Sequence, residues 1–114
     1  MKSYLFLFLW MAIAAVCPNR AYGQIVTTVG GNGDSVYSGD GGPAVLASFN
    51  TPTAIIRDAA GNIYVNDQQN YCVRKINVGT GIISTIAGSG VPGSGGDGGQ
   101  ATNAQLFDNW SIAI

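Results

Sequence analysis

The stretch that decides the fold is Tyr37–Ala44, which reads Tyr-Ser-Gly-Asp-Gly-Gly-Pro-Ala. It recurs at Ser94–Ala101 as Ser-Gly-Gly-Asp-Gly-Gly-Gln-Ala, so that Asp97 follows Asp40 by 57 positions. An alignment at this period runs without a gap from Ile25 to the last residue. Self-similarity at a fixed period of tens of residues is typical of solenoids and propellers, in which each repeat is one supersecondary unit. The chain is therefore expected to consist of repeated units.

The composition favours an all-β fold. Seventeen glycines in 114 residues are too many for a helical protein, because each glycine costs about 1 kcal/mol in a helix interior. Between the two copies, short links separate four strand-like runs, which makes neighbouring strands antiparallel. The predicted strands are Thr53–Arg57, Asn62–Asn66, Tyr71–Val78 and Ile82–Ala87, and a further one at Ile25–Val29 opens the first copy. A four-stranded meander that is apolar on both faces is typical of a β-propeller blade, which needs like units on each side.

Residues 1–23 have the pattern of a cleaved secretory signal peptide. Lys2 is followed by an uncharged apolar run, Tyr4–Val16, which is shorter than the about 20 residues that a membrane span needs. Small residues at Ala21 and Gly23 predict cleavage before Gln24. The sequence therefore predicts a secreted, extracellular chain with no membrane span after cleavage. The alternative is a buried or anchoring helix.

The residue inventory argues against several classes of function. Without residues 1–23 the chain carries three cationic side chains against six aspartates, a net charge of −3. This balance argues against nucleic-acid binding, which depends on neutralised phosphates. The chain has no histidine, so neither a Ser-His-Asp nor a Cys-His arrangement nor histidine metal ligation is available. We predict no catalytic, metal or cofactor site, and we expect Cys72 to be buried rather than paired with another chain.

Four residues are weak candidates for ligand binding: Asp40, Asp97, Asp67 and Arg74. A calcium loop needs six or more oxygen ligands, and a phosphate cradle commonly needs a lysine and a following helix. Glycine-flanked Asp40 and Asp97 are therefore interpreted as structural turns in which the side chain bonds nearby backbone amides. Asp67 is expected to cap the turn after the second strand.

Arg74 and five further side chains have structural interpretations. Arg74 and Lys75 point to opposite faces of a strand, and we expect one of them to bond a neighbouring loop while the other is solvated. The aromatic pair Phe107 and Trp110 is expected to pack within the blades rather than to form a ligand platform. Ala47 and Phe49 are expected to point inward.

Several ordered blocks resemble NHL repeats, of the long-loop type found in secreted and cell-surface proteins such as the teneurin-like group. They are Thr-Val-Gly-Gly-Asn-Gly, Phe-Asn-Thr-Pro, Asp-Ala-Ala-Gly-Asn-Ile-Tyr-Val-Asn-Asp and Asn-Tyr-Cys-Val-Arg-Lys-Ile, beginning at residues 28, 49, 58 and 70. Two departures stand out. Asn66 lies where the family commonly has alanine, and Tyr71-Cys72 where it commonly has a basic pair.

The resemblance implies a propeller, commonly of six blades, that serves as a protein or glycan interaction scaffold. The alternative is a remnant of a lactonase-like or lyase-like propeller enzyme that acts on a small ester, lactone or peptide. The predicted domains are a signal peptide at 1–23 and an NHL-repeat propeller fragment at 24–114, with one complete blade and two partial ones. Six units of this period would need about 340 residues, so we expect a truncated product. There are two alternatives: several chains that complete a ring by oligomerisation, or a small open stack of blades. Open blade edges would be a surface for self-association.

Overall fold

The computed structural model describes residues 26–114. The predicted signal peptide and its cleavage site lie outside the described residues. Four strands form one antiparallel sheet in chain order: β1 (Pro52–Arg57), β2 (Ile63–Asp67), β3 (Cys72–Ile76) and β4 (Ile83–Ala87). Short 3₁₀ helices lie at Ala44–Leu46, Gln68–Asn70 and Ala101–Asn103. The all-β prediction, with a four-stranded antiparallel blade, is confirmed.

The third strand is shorter than predicted at both ends. Tyr71 has a φ of 52°, in the left-handed region. It ends the 3₁₀ helix that precedes β3, and its N–H donates a hydrogen bond to the Gln68 carbonyl. At the other end the Asn77 side chain accepts hydrogen bonds from the N–H groups of Gly79 and Thr80. Side-chain bonds of this kind hold a turn in place of a strand ladder. The other three strands differ from the prediction by one residue at one or both ends.

The predicted strand at Ile25–Val29 is not formed in its described part. Val26–Val29 carry no strand, and Val26 is 92% exposed. A β-branched run forms a strand only when it has a neighbour to pair with. Within residues 26–114 the strand ladders pair β1 with β2, β2 with β3 and β3 with β4. None of these strands pairs with the run at Val26–Val29. Trp110–Ile114, which corresponds to β1 in the second copy, is also without strand structure.

The core lies on one face of the sheet. Side chains alternate between faces along a strand, so β2 and β3 place Val65 and Ile76 on the same side. The chain from residue 30 to 50 crosses this face and adds Ala44 and Ala47 to the buried cluster, which Ile83 completes. Phe49 and Ile63 pack against the cluster. The inward orientation predicted for Ala47 is confirmed, and Phe49 is partly buried.

The period of 57 is visible in the backbone. The Gly31 N–H donates to the Ala44 carbonyl at 2.9 Å, and Gly88 donates to Ala101 at the same distance. Each of these alanines begins a 3₁₀ helix. Thr51 and Asp108, also one period apart, have φ values of 51° and 55°. The two copies therefore share these backbone features between Gly31 and Thr51 and between Gly88 and Asp108.

Among residues 26–114 no helix has the length and apolar character needed to cross a bilayer.

Candidate functional site

The first glycine-rich loop, residues 37–50, covers the outer edge of the sheet with its residues 41–44. The Gly41 N–H donates to the Ile83 carbonyl at 2.8 Å, and the Ile83 N–H donates to the Gly42 carbonyl at 3.0 Å. A third bond joins the Ala44 N–H to the Gly81 carbonyl at 2.8 Å. The backbone of the loop therefore pairs with β4 and occupies donors and acceptors that an exposed edge strand would leave open.

Arg74 lies in β3 and points into the space between the sheet and the loop. Its side chain has no exposed surface. One guanidinium nitrogen, Nη1, donates to the Ser48 carbonyl at 2.8 Å, and Nη2 donates to the Ser38 carbonyl at 2.8 Å and to Asp40 Oδ1 at 2.9 Å. The planar guanidinium thus bonds three points of the loop at fixed angles, which a lysine could not do.

Two aromatic rings flank the guanidinium. Its central carbon lies 4.9 Å from the centroid of the Tyr37 ring and 5.2 Å from that of Phe49. Contacts within about 6 Å are attractive because the negative face of the ring faces the cation. Arg74 is therefore a structural residue that joins the loop to the sheet, and its partner in the loop is the first of the candidate aspartates.

Asp40 bonds distant groups rather than the nearby backbone amides that the sequence led us to expect, so that part of the prediction is wrong. Besides Arg74, its carboxylate accepts hydrogen bonds from the Thr85 N–H and the Tyr37 hydroxyl, each at 2.9 Å. Partial burial disfavours the charged form, but the bonds from Thr85, Arg74 and Tyr37 outweigh it and lower the pKa of Asp40. The carboxylate is therefore held ionised and fully engaged.

Asp67, at the end of β2, is completely buried. It accepts hydrogen bonds from the Asn50 N–H at 2.7 Å and the Asn70 side chain at 2.9 Å, and Arg74 Nη1 lies 3.8 Å away. Burial raises the pKa of Asp67 in spite of these partners. The predicted capping is wrong, because Asp67 makes no capping hydrogen bond with the 3₁₀ helix at Gln68–Asn70. Its carboxylate instead joins the Asn50 N–H, at the end of the loop, to the side chain of Asn70.

Asp97 is not brought together with the other three candidates. Its turn has the same form as the first, since the Gly99 N–H donates to the Gly96 carbonyl at 3.2 Å. Within residues 26–114 its side chain makes no hydrogen bond or ion pair. By contrast, two of the partners of Asp40 stand 34 and 45 positions further along the chain.

Three other predicted roles can be compared with the structure. Lys75, on the opposite face from Arg74, places its amine 5.5 Å from the Tyr64 ring centroid. Cys72 is buried, as predicted, and burial raises the pKa of its thiol to about 12. The packing predicted for Phe107 and Trp110 is wrong among the described residues, because they are 68% and 66% exposed.

One contact between the two copies was not expected from the sequence. Asn66 is completely buried on the second face of the sheet, and its side-chain amide donates to Thr53 Oγ1 at 2.6 Å and to the Asn109 carbonyl at 2.5 Å. The Asn109 side chain donates back to Asn66 Oδ1. The available signal was the departure at Asn66 itself, because a polar residue in a strand interior needs a buried partner.

The surface of the blade has two hollows. An apolar one of about 410 Å³ lies over the face of the sheet that holds Ile63, Val65 and Ile76. A second, of about 460 Å³, has polar walls and lies where the Gln69–Cys72 segment meets Ser89 and Thr102. Within residues 26–114 no group of three or more His, Cys, Asp or Glu side chains could hold a metal ion.

We expect Asp40→Asn to flatten the acid dependence of stability. A carboxylate whose folded-state pKa is lowered contributes stability above its unfolded pKa of about 3.9, and this contribution is lost as the pH falls through the folded value. Asp67 has the opposite sign: with a raised pKa, its contribution is complete below the unfolded value and is lost as the pH rises through the folded one. Urea unfolding of the parent chain and Asp40→Asn between pH 7 and pH 3 isolates the Asp40 contribution.

Asp97→Asn is the matched control, since it removes the equivalent carboxylate of the second copy. We expect this substitution to change the free energy of unfolding by less than about 0.5 kcal/mol. Parallel pH profiles for Asp40→Asn and the parent chain would contradict the role assigned to the Asp40 carboxylate.

Comparisons with known proteins give a consistent group of relatives. No protein-family model matches the chain. Two curated relatives are both named NHL repeat-containing protein 2; the one from Bos taurus is 34% identical over 99 residues and the one from Gallus gallus 36% over 94. Each alignment covers 81% of this chain but only 12% of the relative. A solved structure, a structural genomics protein of unknown function from Bacteroides thetaiotaomicron, is 30% identical with a TM-score of 0.55 over 62% of this chain and 18% of that one.

Proposed function

We propose that the chain, whose relatives support an NHL-repeat family, acts as a secreted interaction scaffold for a protein or a glycan and has no catalytic role of its own. In this proposal the blade is one unit of a six-bladed, teneurin-like propeller. The relatives carry the repeat in much longer chains, so the function of a whole propeller is part of the proposal.

One observation carries the non-catalytic part. The charged side chains that could act as catalytic groups are used in structural bonds of the blade. Arg74 and Asp40 join the loop to the sheet, and Asp67 bonds the end of the loop. A catalytic group must reach the reacting atoms of a substrate, and Arg74 and Asp67 have no exposed side-chain surface. The residues that remain exposed are then available for recognition.

Secretion is tested by expressing the 114-residue chain with a C-terminal tag in a host that secretes proteins. We expect the tagged chain in the medium with Gln24, or its cyclised form, as the first residue. A chain that stays in the cytosol and retains residues 1–23 would overturn the secreted part of the proposal.

The scaffold role is tested with the purified chain on a panel of immobilised glycans and extracellular protein domains, and in solution with small esters, lactones and peptides. We expect saturable binding to at least one immobilised ligand and no turnover above the buffer rate. Saturable turnover that is lost on Asp40→Asn, with no binding on the panel, would instead favour the propeller-enzyme alternative.

A further inference from the structure

The polar hollow of about 460 Å³ is built by both sequence copies. Tyr37 and the Gln69–Cys72 segment come from the first copy, while Thr85, Ser89 and Thr102 come from the second, which begins at Ile82. All of these residues are described, so the hollow is formed within the chain. Its size is within the range of small-molecule sites. We refer to it as the junction cleft.

The ionisable groups of the junction cleft do not leave a free charge for a ligand. Asp40, at its wall, is neutralised by Arg74 at 2.9 Å. Cys72 is buried and carries a protonated thiol at neutral pH, because its pKa is raised to about 12. Neither a phosphate nor an ammonium group would find an opposite charge to offset the loss of its own hydration. The cleft is therefore suited to an uncharged ligand.

Uncommitted hydrogen-bonding groups line the cleft. The side chains of Gln69, Ser89 and Thr102 are exposed, and none of them makes a hydrogen bond to another side chain or to the backbone within residues 26–114. The amide of Gln69 and the two hydroxyls each provide a donor and an acceptor. Vicinal hydroxyl groups on a ligand have the same dual character, so each could pair with such a side chain in either direction.

Aromatic rings supply the second feature of the cleft. Tyr37 is 45% exposed, and its orientation is fixed by Arg74 under the ring and by hydroxyl bonds to Asp40 and Thr85. Tyr71 is held in a left-handed conformation, with a φ of 52°, which is rare for a bulky residue. The fixed ring of Tyr37 offers an apolar surface at a low entropic cost, and the C–H face of a sugar ring can pack on such a surface.

We propose that the junction cleft binds a neutral saccharide. This inference rests on the proposed function, because it selects a glycan rather than a protein as the ligand and assigns the glycan to the junction cleft. Neutral hydrogen-bonding side chains beside an aromatic surface match a ligand that has hydroxyl groups on its rim and C–H groups on its face. Charged sugars are expected to bind less well, since no free cation lines the cleft.

The experiment titrates the full chain with glucose, N-acetylglucosamine and cellobiose, and follows backbone amide shifts by NMR. Glucuronate, which differs from glucose by one carboxylate, is the matched charged probe. We expect saturable shifts confined to residues 69–72, 85 and 88–90 for at least one neutral sugar, and weaker binding of glucuronate than of glucose.

Variants locate the site. Gln69→Ala should weaken binding several-fold, and Thr102→Trp, which fills the cleft from its exposed rim, should abolish it. Ser84→Ala, an exposed hydroxyl of β4 outside the cleft, should leave binding unchanged. The amide spectrum of each variant shows whether its fold is retained, and a Thr102→Trp chain that had lost its fold would leave Gln69→Ala to decide.

Three results would overturn the inference: no shift with any neutral sugar, undiminished binding in both cleft variants, or tighter binding of glucuronate. The first or second result together with saturable binding on the panel of immobilised glycans and proteins would leave the proposed function standing and remove only the cleft. Absence of binding in both experiments would overturn both.

Discussion

Replacing Arg74 by methionine is expected to lower the free energy of unfolding by about 3–5 kcal/mol. Methionine keeps much of the side-chain volume but removes all bonds to Ser48, Ser38 and Asp40. It also leaves the carboxylate of Asp67, which is completely buried, without its nearest cation. An uncompensated buried charge costs more than the original ion pair contributes.

The size of this effect matters because a small domain has only about 5–15 kcal/mol of stability in total. Arg74→Lys retains the charge but not the planar fork that reaches both carbonyls, so we expect it to recover only part of the loss. Chemical unfolding followed by circular dichroism at pH 7 measures each variant. Where Arg74→Met fails to give a folded baseline, Arg74→Lys provides the value.

Lys75→Met is the matched control for this prediction. It changes the neighbouring cation on the opposite face, whose amine lies 5.5 Å from the Tyr64 ring centroid, and such a contact contributes about 0.5–1 kcal/mol at exposed sites. Similar losses for Arg74→Met and Lys75→Met would mean that the bonds between loop and sheet add little to stability.

A double-mutant cycle separates the pair from its surroundings. If Arg74 and Asp40 act together, Arg74→Met combined with Asp40→Asn should cost less than the two single losses added, since the second substitution removes one of the charges left unpaired by the first. Additive losses would show that the two residues stabilise the loop independently.

What the sequence could predict depended on local patterns. The alternation in β2 and β3 fixes which side chains share a face, because a slip by one residue would place Val65 and Ile76 in solvent. The period of 57 predicted that the Asp97 turn would follow the backbone of the Asp40 turn. Both turns have two positive-φ glycines two positions apart, Gly39 and Gly41 in the first and Gly96 and Gly98 in the second. These features need no knowledge of how the loop crosses the sheet.

The connections between the loop and the sheet could not be predicted from such patterns. Asp40 bonds residues 34 and 45 positions away, whereas turn chemistry describes only bonds to the next few amides. One signal was present in the sequence: Arg74 alternates with Cys72 and Ile76, which places a cation on the apolar face. A buried cation needs a paired anion, and the aspartate of the repeated loop was available for this role.

The second large effect is expected at Gly39, the first glycine of the loop that covers β4. A Cβ atom there would lie 2.6 Å from Ala47 Cα and 2.7 Å from Ala47 Cβ, and Ala47 is completely buried. Its φ of 91° is also unfavourable for alanine. We expect Gly39→Ala to cost about 1–2 kcal/mol for the backbone conformation and about 1–3 kcal/mol more for overpacking.

Gly41→Ala separates these two causes. Gly41 has a φ of 80°, but a Cβ atom there would meet nothing within 4 Å, so only the conformational cost of about 1–2 kcal/mol applies. Urea unfolding of the two variants under the same conditions gives the difference between them. A larger loss for Gly39→Ala would mean that the first glycine is required because two segments of the loop cross at contact distance, whereas equal losses would leave backbone conformation as the only reason for glycine at either position. Gly96, one period later, would meet Ala104 Cα at 2.7 Å, so the same requirement for close approach is expected in the second copy.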